Sequence, residues 1–167
     1  MTIRPFLAWP DKRLRQKAKP VGAITDDIRA IWDDMLETMY AMPGVGLAAP
    51  QIGTMLRLAV VDAEPAKRQP LCMGDPEIVD ASLKLNEHDE ASPNLPGVAA
   101  RISRPRGVSV SYLDRDGNRV RNDLIGLWAT SVQHQIDHLN GVMYFDRLSA
   151  VKRKMLLAKA AKLKRRA

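Results

Sequence analysis

Cys72 is the only cysteine in the chain, so an internal disulfide is excluded and a reducing cytoplasm is the expected home. Aromatic side chains are also few, with three Trp, three Tyr and two Phe among 167 residues. They form no stacking platform and no nucleic-acid motif, which argues against sequence-specific base reading. No apolar run reaches the roughly 20 residues that a membrane-spanning helix needs, and no signal peptide or internal repeat is expected. Acidic residues fall short of basic ones, 19 against 26, leaving a formal charge of +7. The length suits one domain with a proper core, residues 1–148, with 149–167 a basic C-terminal helix of that same domain.

The positive excess gathers at that end, in Lys152, Arg153, Lys154, Lys159, Lys162, Lys164, Arg165 and Arg166. Leu156, Leu157, Ala160 and Leu163 supply one apolar side, so the segment reads as an amphipathic basic helix. Such a helix is either a solvated face or a contact for a polyanion. Phosphate contacts there would be salt-sensitive and largely blind to sequence.

What is present elsewhere reads as scaffold. Thr25 is a good N-cap for a helix in which Ile28, Ile31, Trp32, Met35, Leu36, Met39 and Tyr40 recur at helical spacing. Leu56 to Val61, Ile78 to Leu85 and Val108 to Leu113 pattern as strands, with Asp116-Gly117 as a hairpin turn. Met35 and Met39 read as core filling, and Cys72, in an expected strand before Asp75-Pro76, as a buried core residue.

Chemistry enters with His134 and His138. Four residues apart, they share one face of a helix and are able to reach one divalent ion. Leu124, Leu127, Trp128, Val132, Ile136 and Leu139 give that helix apolar positions, and Gly141 is its expected stop. Metallohydrolases place a Glu directly after the first His as general base, but here that position is Gln135. A Gln keeps the size and hydrogen bonds of Glu without a basic carboxylate oxygen.

Two further segments point to the same place. One is Pro43-Gly44-Val45-Gly46-Leu47-Ala48-Ala49-Pro50-Gln51-Ile52-Gly53, and the other is Glu90-Ala91-Ser92-Pro93-Asn94-Leu95-Pro96-Gly97. With the histidine helix they resemble peptide deformylase, the metalloenzyme family that removes the formyl group from the N-terminal methionine of new chains. The first segment matches G-x-G-x-A-A-x-Q, the histidine helix matches H-E-x-x-H except at Gln135, and the second segment is an altered E-G-C-L-S-x-P. The resemblance runs over nearly the whole chain. It implies an α+β fold, with antiparallel strands packed around a central helix carrying His134 and His138, plus a C-terminal helix.

Carried over position by position, the resemblance places a divalent metal, Fe2+ or Zn2+, between His134, His138 and Ser92, the last at the family's cysteine position. A serine hydroxyl is a neutral, weak donor where a thiolate brings charge, so metal is expected to be weakly held or absent. Gln51 is implied as a donor to the formyl oxygen. Its partner donor in the family is a backbone N–H, and the matching residue here is Pro93, which has none. Losing one such donor costs on the order of a hundredfold to a thousandfold, and losing the base roughly a hundredfold to ten-thousandfold. Val45, Gly46, Leu127 and Gly97 are the implied substrate-binding residues, and Glu90 with Arg104 the implied ion pair bracing the metal loop.

His88 replaces an expected aliphatic residue at the pocket, while Thr130 and Ser131 either line the pocket or bond back to helix carbonyls. Two functions follow. One is a deformylase relative with lost or impaired hydrolysis that binds chain N-termini or the ribosome, touching RNA through its basic helix. The other is an active metal-dependent peptide deformylase or amidohydrolase with an altered ligand set, for which Asp89 is a better replacement carboxylate than Glu90, the latter being engaged with Arg104.

Overall fold

The structure, a computed structural model that describes residues 2–167, runs in the order α1 (Asp26–Ala41), β1 (Gly46–Ala48), β2 (Leu58–Val61), β3 (Leu71–Ala81), β4 (Leu85–Ser92), β5 (Leu95–Pro105), β6 (Gly107–Leu113), β7 (Arg119–Ile125), α2 (Gly126–Leu139) and α3 (Ala150–Arg166). Short 3-10 turns lie at Lys12–Arg15, Ala49–Ile52, Pro65–Lys67 and Tyr144–Arg147. All four residues of β2 are buried, because successive side chains point to opposite faces and both faces are covered. Leu58 and Val60 pack with Trp32, Met35 and Met39 of α1, whereas Ala59 and Val61 pack with Ala129, Val132 and Ile136 of α2.

The sheet between those two helices is antiparallel, in the order β1-β2-β3-β6-β7. β4 and β5 form a separate antiparallel pair, and β5 joins Leu156, Leu157 and Ala160 of α3 in a third apolar cluster. This is the α+β arrangement expected, with α2 central and buried at every position from Ala129 to Leu139. Among the described residues, no helix is long and apolar enough to cross a membrane.

Local chemistry sets the element ends. The Thr25 hydroxyl accepts from Ile28 N–H at the start of α1, a cap worth about 1 kcal/mol. Burying a side chain such as Met35 contributes about 1.5–3 kcal/mol, so packing outweighs capping in holding α1. At the end of α2, Gly141 has φ +75° and donates to His138 O, while Val142 donates to Asp137 O, a Schellman closure. A Cβ on Gly141 would run into the Arg15 backbone.

Three expectations need correction. The strand expected over 78–85 is the end of β3 and the start of β4, separated by a turn in which Ser82 N–H donates to Gly107 O and Ser82 Oγ to Lys84 O. The strand expected from Leu56 begins at Leu58, Leu56 making only an isolated bridge to Lys19. Leu124 belongs to β7 rather than to the histidine helix, and Leu127 is partly exposed.

Candidate functional site

α2 carries two rows of residues four apart, Thr130–His134–His138 and Ser131–Gln135. Opposite them stand Val45 and Gly46 before and at β1, Gln51 on the Ala49–Ile52 turn, His88 and Glu90 on β4, and Ser92, Pro93 and Asn94 at the tight β4–β5 turn. Most of these enclose one pocket of about 340 Å³, lined also by Met42 and Leu127. Gly46 is required by close approach, since a Cβ there would meet the Gln135 amide and the Ser131 hydroxyl.

The two imidazoles face each other with His134 Nε2 3.1 Å from His138 Nε2. His134 Nδ1 lies 2.8 Å from Glu90 Oε1, so its N–H is assigned there, leaving Nε2 to present a lone pair. Burial pushes the pKa of His138 well below the usual histidine range, aided by His134 and Arg104 nearby. Its Nδ1 is buried without a partner among the described residues. Tyr144 stacks on His134 with ring centroids 6.0 Å apart, and burial and the Glu90 charge push its hydroxyl up to about 12.

Glu90 accepts from Arg104 Nε at 2.7 Å and Nη2 at 2.9 Å, the ion pair expected. Burial alone would raise its pKa, but hydrogen bonds from His134 and Arg104 outweigh that and hold it at about 2. Arg104 also donates to Asp137 at 2.9 Å, and Arg147 closes on Asp137 with two bonds of 2.7 Å. A row of alternating charge, Arg147, Asp137, Arg104 and Glu90, thus ends on His134.

Nitrogen ligands of a tetrahedral ion lie about 3.3 Å apart, so the two imidazoles fit two corners of such a site. A third, charged ligand does not join them. Among the described residues no three His, Cys, Asp or Glu side chains converge on one point. Asp89 is turned outward, exposed and 3.7 Å from Arg101, and both Glu90 oxygens are taken. The donor set therefore does not complete a charged metal centre.

Ser92 is in place but engaged, donating to Asn94 Oδ1 at 3.0 Å and accepting from Gln51 Nε2 at 3.3 Å. Gln51 spends its other amide hydrogen on Asn94 Oδ1 at 2.8 Å and accepts from Ala48 N–H at 2.9 Å. Sequence reasoning missed Asn94, which also donates to Leu7 O and Gln51 O; its only signal was turn chemistry after Pro93. The roles of Tyr144 and Arg147 were equally hidden, since both come from outside the motifs.

Thr130 and Ser131 do not bond back to helix carbonyls. Thr130 Oγ1 pairs with His88 Nδ1 at 2.9 Å, and Ser131 donates to Val45 O at 3.0 Å, so both belong to the pocket. Gly97 lies elsewhere. It has φ +87°, approaches Leu163 of α3 and lines a separate groove with Trp9 and Leu157, so the fold does not bring it to this pocket.

Comparison with known proteins agrees over nearly the full length. A family model described as polypeptide deformylase matches residues 3–154. A peptide deformylase from Methylocella silvestris is 46% identical over 171 residues, covering 98% of this chain and 87% of its own. One from Rhizobium meliloti is 44% identical, covering 97% and 94%. The crystal structure of a peptide deformylase from Legionella pneumophila superposes with a TM-score of 0.91 at 42% identity, covering 98% of this chain and 96% of that one. The peptide deformylase from Ehrlichia chaffeensis in complex with actinonin gives a TM-score of 0.91 at 36% identity, each chain covered to 99%.

Proposed function

The chain belongs to the peptide deformylase family, and from that premise we propose that it is a member whose removal of formyl groups from N-terminal formyl-methionine is lost or strongly impaired, its pocket serving to bind chain N-termini. The observation that carries this reading is Gln135. It occupies the position after the first histidine, buried against the pocket, with an amide oxygen that has no partner among the described residues and no basicity. Ser92 and Pro93 act in the same direction, the first withholding ligand charge and the second a backbone donor. Metal binding is weak or substoichiometric, with His134 and His138 as the protein ligands.

The cationic residues of α3 contact RNA phosphates at the ribosome, an orientation helped by its apolar side being packed on β5. The test of the central reading is turnover of a formyl-methionyl peptide by the purified chain under excess Fe2+, Ni2+, Co2+ or Zn2+. Little or no turnover is expected with each. Efficient metal-dependent turnover that disappears on His134→Ala overturns it.

A further inference from the structure

The pocket beside Gln135 has an apolar mouth and a polar floor. Val45 and Leu127 stand toward the opening, Leu127 being 40% exposed, whereas Thr130, Ser131 and Gln135 are 4%, 3% and 4% exposed. The floor is held polar by specific contacts. Thr130 is paired with His88 at 2.9 Å, Ser131 is tied to Val45 O at 3.0 Å, and Gln135 Oε1 has no partner among the described residues. When the Thr130 hydroxyl donates to His88 Nδ1, the ring carries its proton on Nε2 and is a donor for a guest.

A wholly apolar guest pressed onto this floor shields the His88 ring nitrogen from water and leaves the buried Gln135 oxygen still without a partner. Each buried polar group left unsatisfied costs about 1–3 kcal/mol. Charge narrows the choice. Among the described residues no lysine or arginine lines the pocket, so a carboxylate guest meets no fixed counter-charge there. Glu90 is saturated by Arg104 and His134, and Asp89 is turned out at the rim, so an ammonium guest meets none at the floor either.

We propose that this pocket selects an uncharged hydrogen-bonding side chain on an aliphatic stem, a glutamine carboxamide at the N-terminus of a chain, in preference to a thioether or a hydrocarbon. The stem lies against Val45 and Leu127. The carboxamide brings N–H donors for the Gln135 oxygen and an oxygen for the His88–Thr130 pair. This selectivity rests on the pocket being a site for chain N-termini, and the test separates the two.

The full chain is titrated with fluorescein-labelled N-formyl tripeptides that differ only in the first residue, Gln, Met, norleucine, Glu or Lys, read by anisotropy. The Gln peptide is expected to bind at least about fivefold tighter than norleucine, as one satisfied buried group implies, with Glu and Lys weaker than Gln. His88→Leu with Thr130→Val, checked for folding by thermal unfolding, should reverse the order of Gln and norleucine. Met or norleucine binding as tightly as Gln to the wild type overturns the selectivity and leaves the site standing. Absence of binding by all five overturns both.

Discussion

Exchanging a carboxylate for a carboxamide at Gln135 changes volume hardly at all and removes the one atom able to take a proton at that position. The proposed impairment rests on three positions, and residues acting on one machine do not contribute independently. Gln135→Glu alone should therefore restore little. Ser92→Cys with Gln135→Glu should give measurable turnover with added Fe2+ or Zn2+, and adding Pro93→Leu should raise it further, by up to about a hundredfold. The assay uses formyl-methionyl and formyl-glutaminyl peptides. A folded, metal-loaded triple variant inactive on both would show that these three positions do not account for the proposed impairment. The identities of Gln51, Ser92 and Pro93 were legible in the sequence because they sit in motifs. That Gln51 has both amide hydrogens committed to Ser92 and Asn94 was not, because the partners lie 41 and 43 residues away.

Elements were legible where period and caps agreed. α1 begins at its Thr25 cap and buries Trp32, Met35 and Met39 as its spacing requires. Between β3 and β4 the pattern misled, since Val79, Leu83 and Leu85 are apolar yet exposed, and only pairing with Gly107 reveals the turn. α3 invites an element-scale test. With Leu156, Leu157 and Ala160 directed to β5, Lys152, Lys159 and Lys162 are exposed. Binding of a ribosomal RNA fragment should weaken steeply with salt, and changing these three lysines to Gln should lower the slope of log K on log salt by roughly 2–3. An unchanged slope, or no binding at low salt, removes the RNA contact.

Across the whole molecule, the charge row from Arg147 to His134 ties α2 to β4, β5 and the Tyr144–Arg147 turn. Its behaviour in acid follows from the sign of the shift at Glu90. The carboxyl titrates near 4.3 when unfolded and at about 2 when folded, so its contribution is fully present above the unfolded value and lost as pH falls through about 2. Asp146, which burial would raise but Arg15 and the Met143 N–H bring below its ordinary range, adds in the same direction. Glu90→Gln leaves Arg104 short of a buried partner, a loss of about 3–5 kcal/mol. Thermal unfolding near neutral pH should then shift down by roughly 6–20 °C, and the acid-induced loss of stability should become shallower. Unchanged midpoint and acid profile would show that the row is not stabilising.

The sequence by itself determined the family, the two imidazoles on one helical face and the identities Gln135 and Ser92 beside them. Each is a matter of residue identity at short, regular spacing. Only the tertiary structure decided that Ser92 is bound within an amide network, that Asp89 faces outward, that Gly97 belongs to another groove and that the pocket floor is polar. Those properties depend on which strands pair and in what register, and a register sets which of two faces each side chain takes.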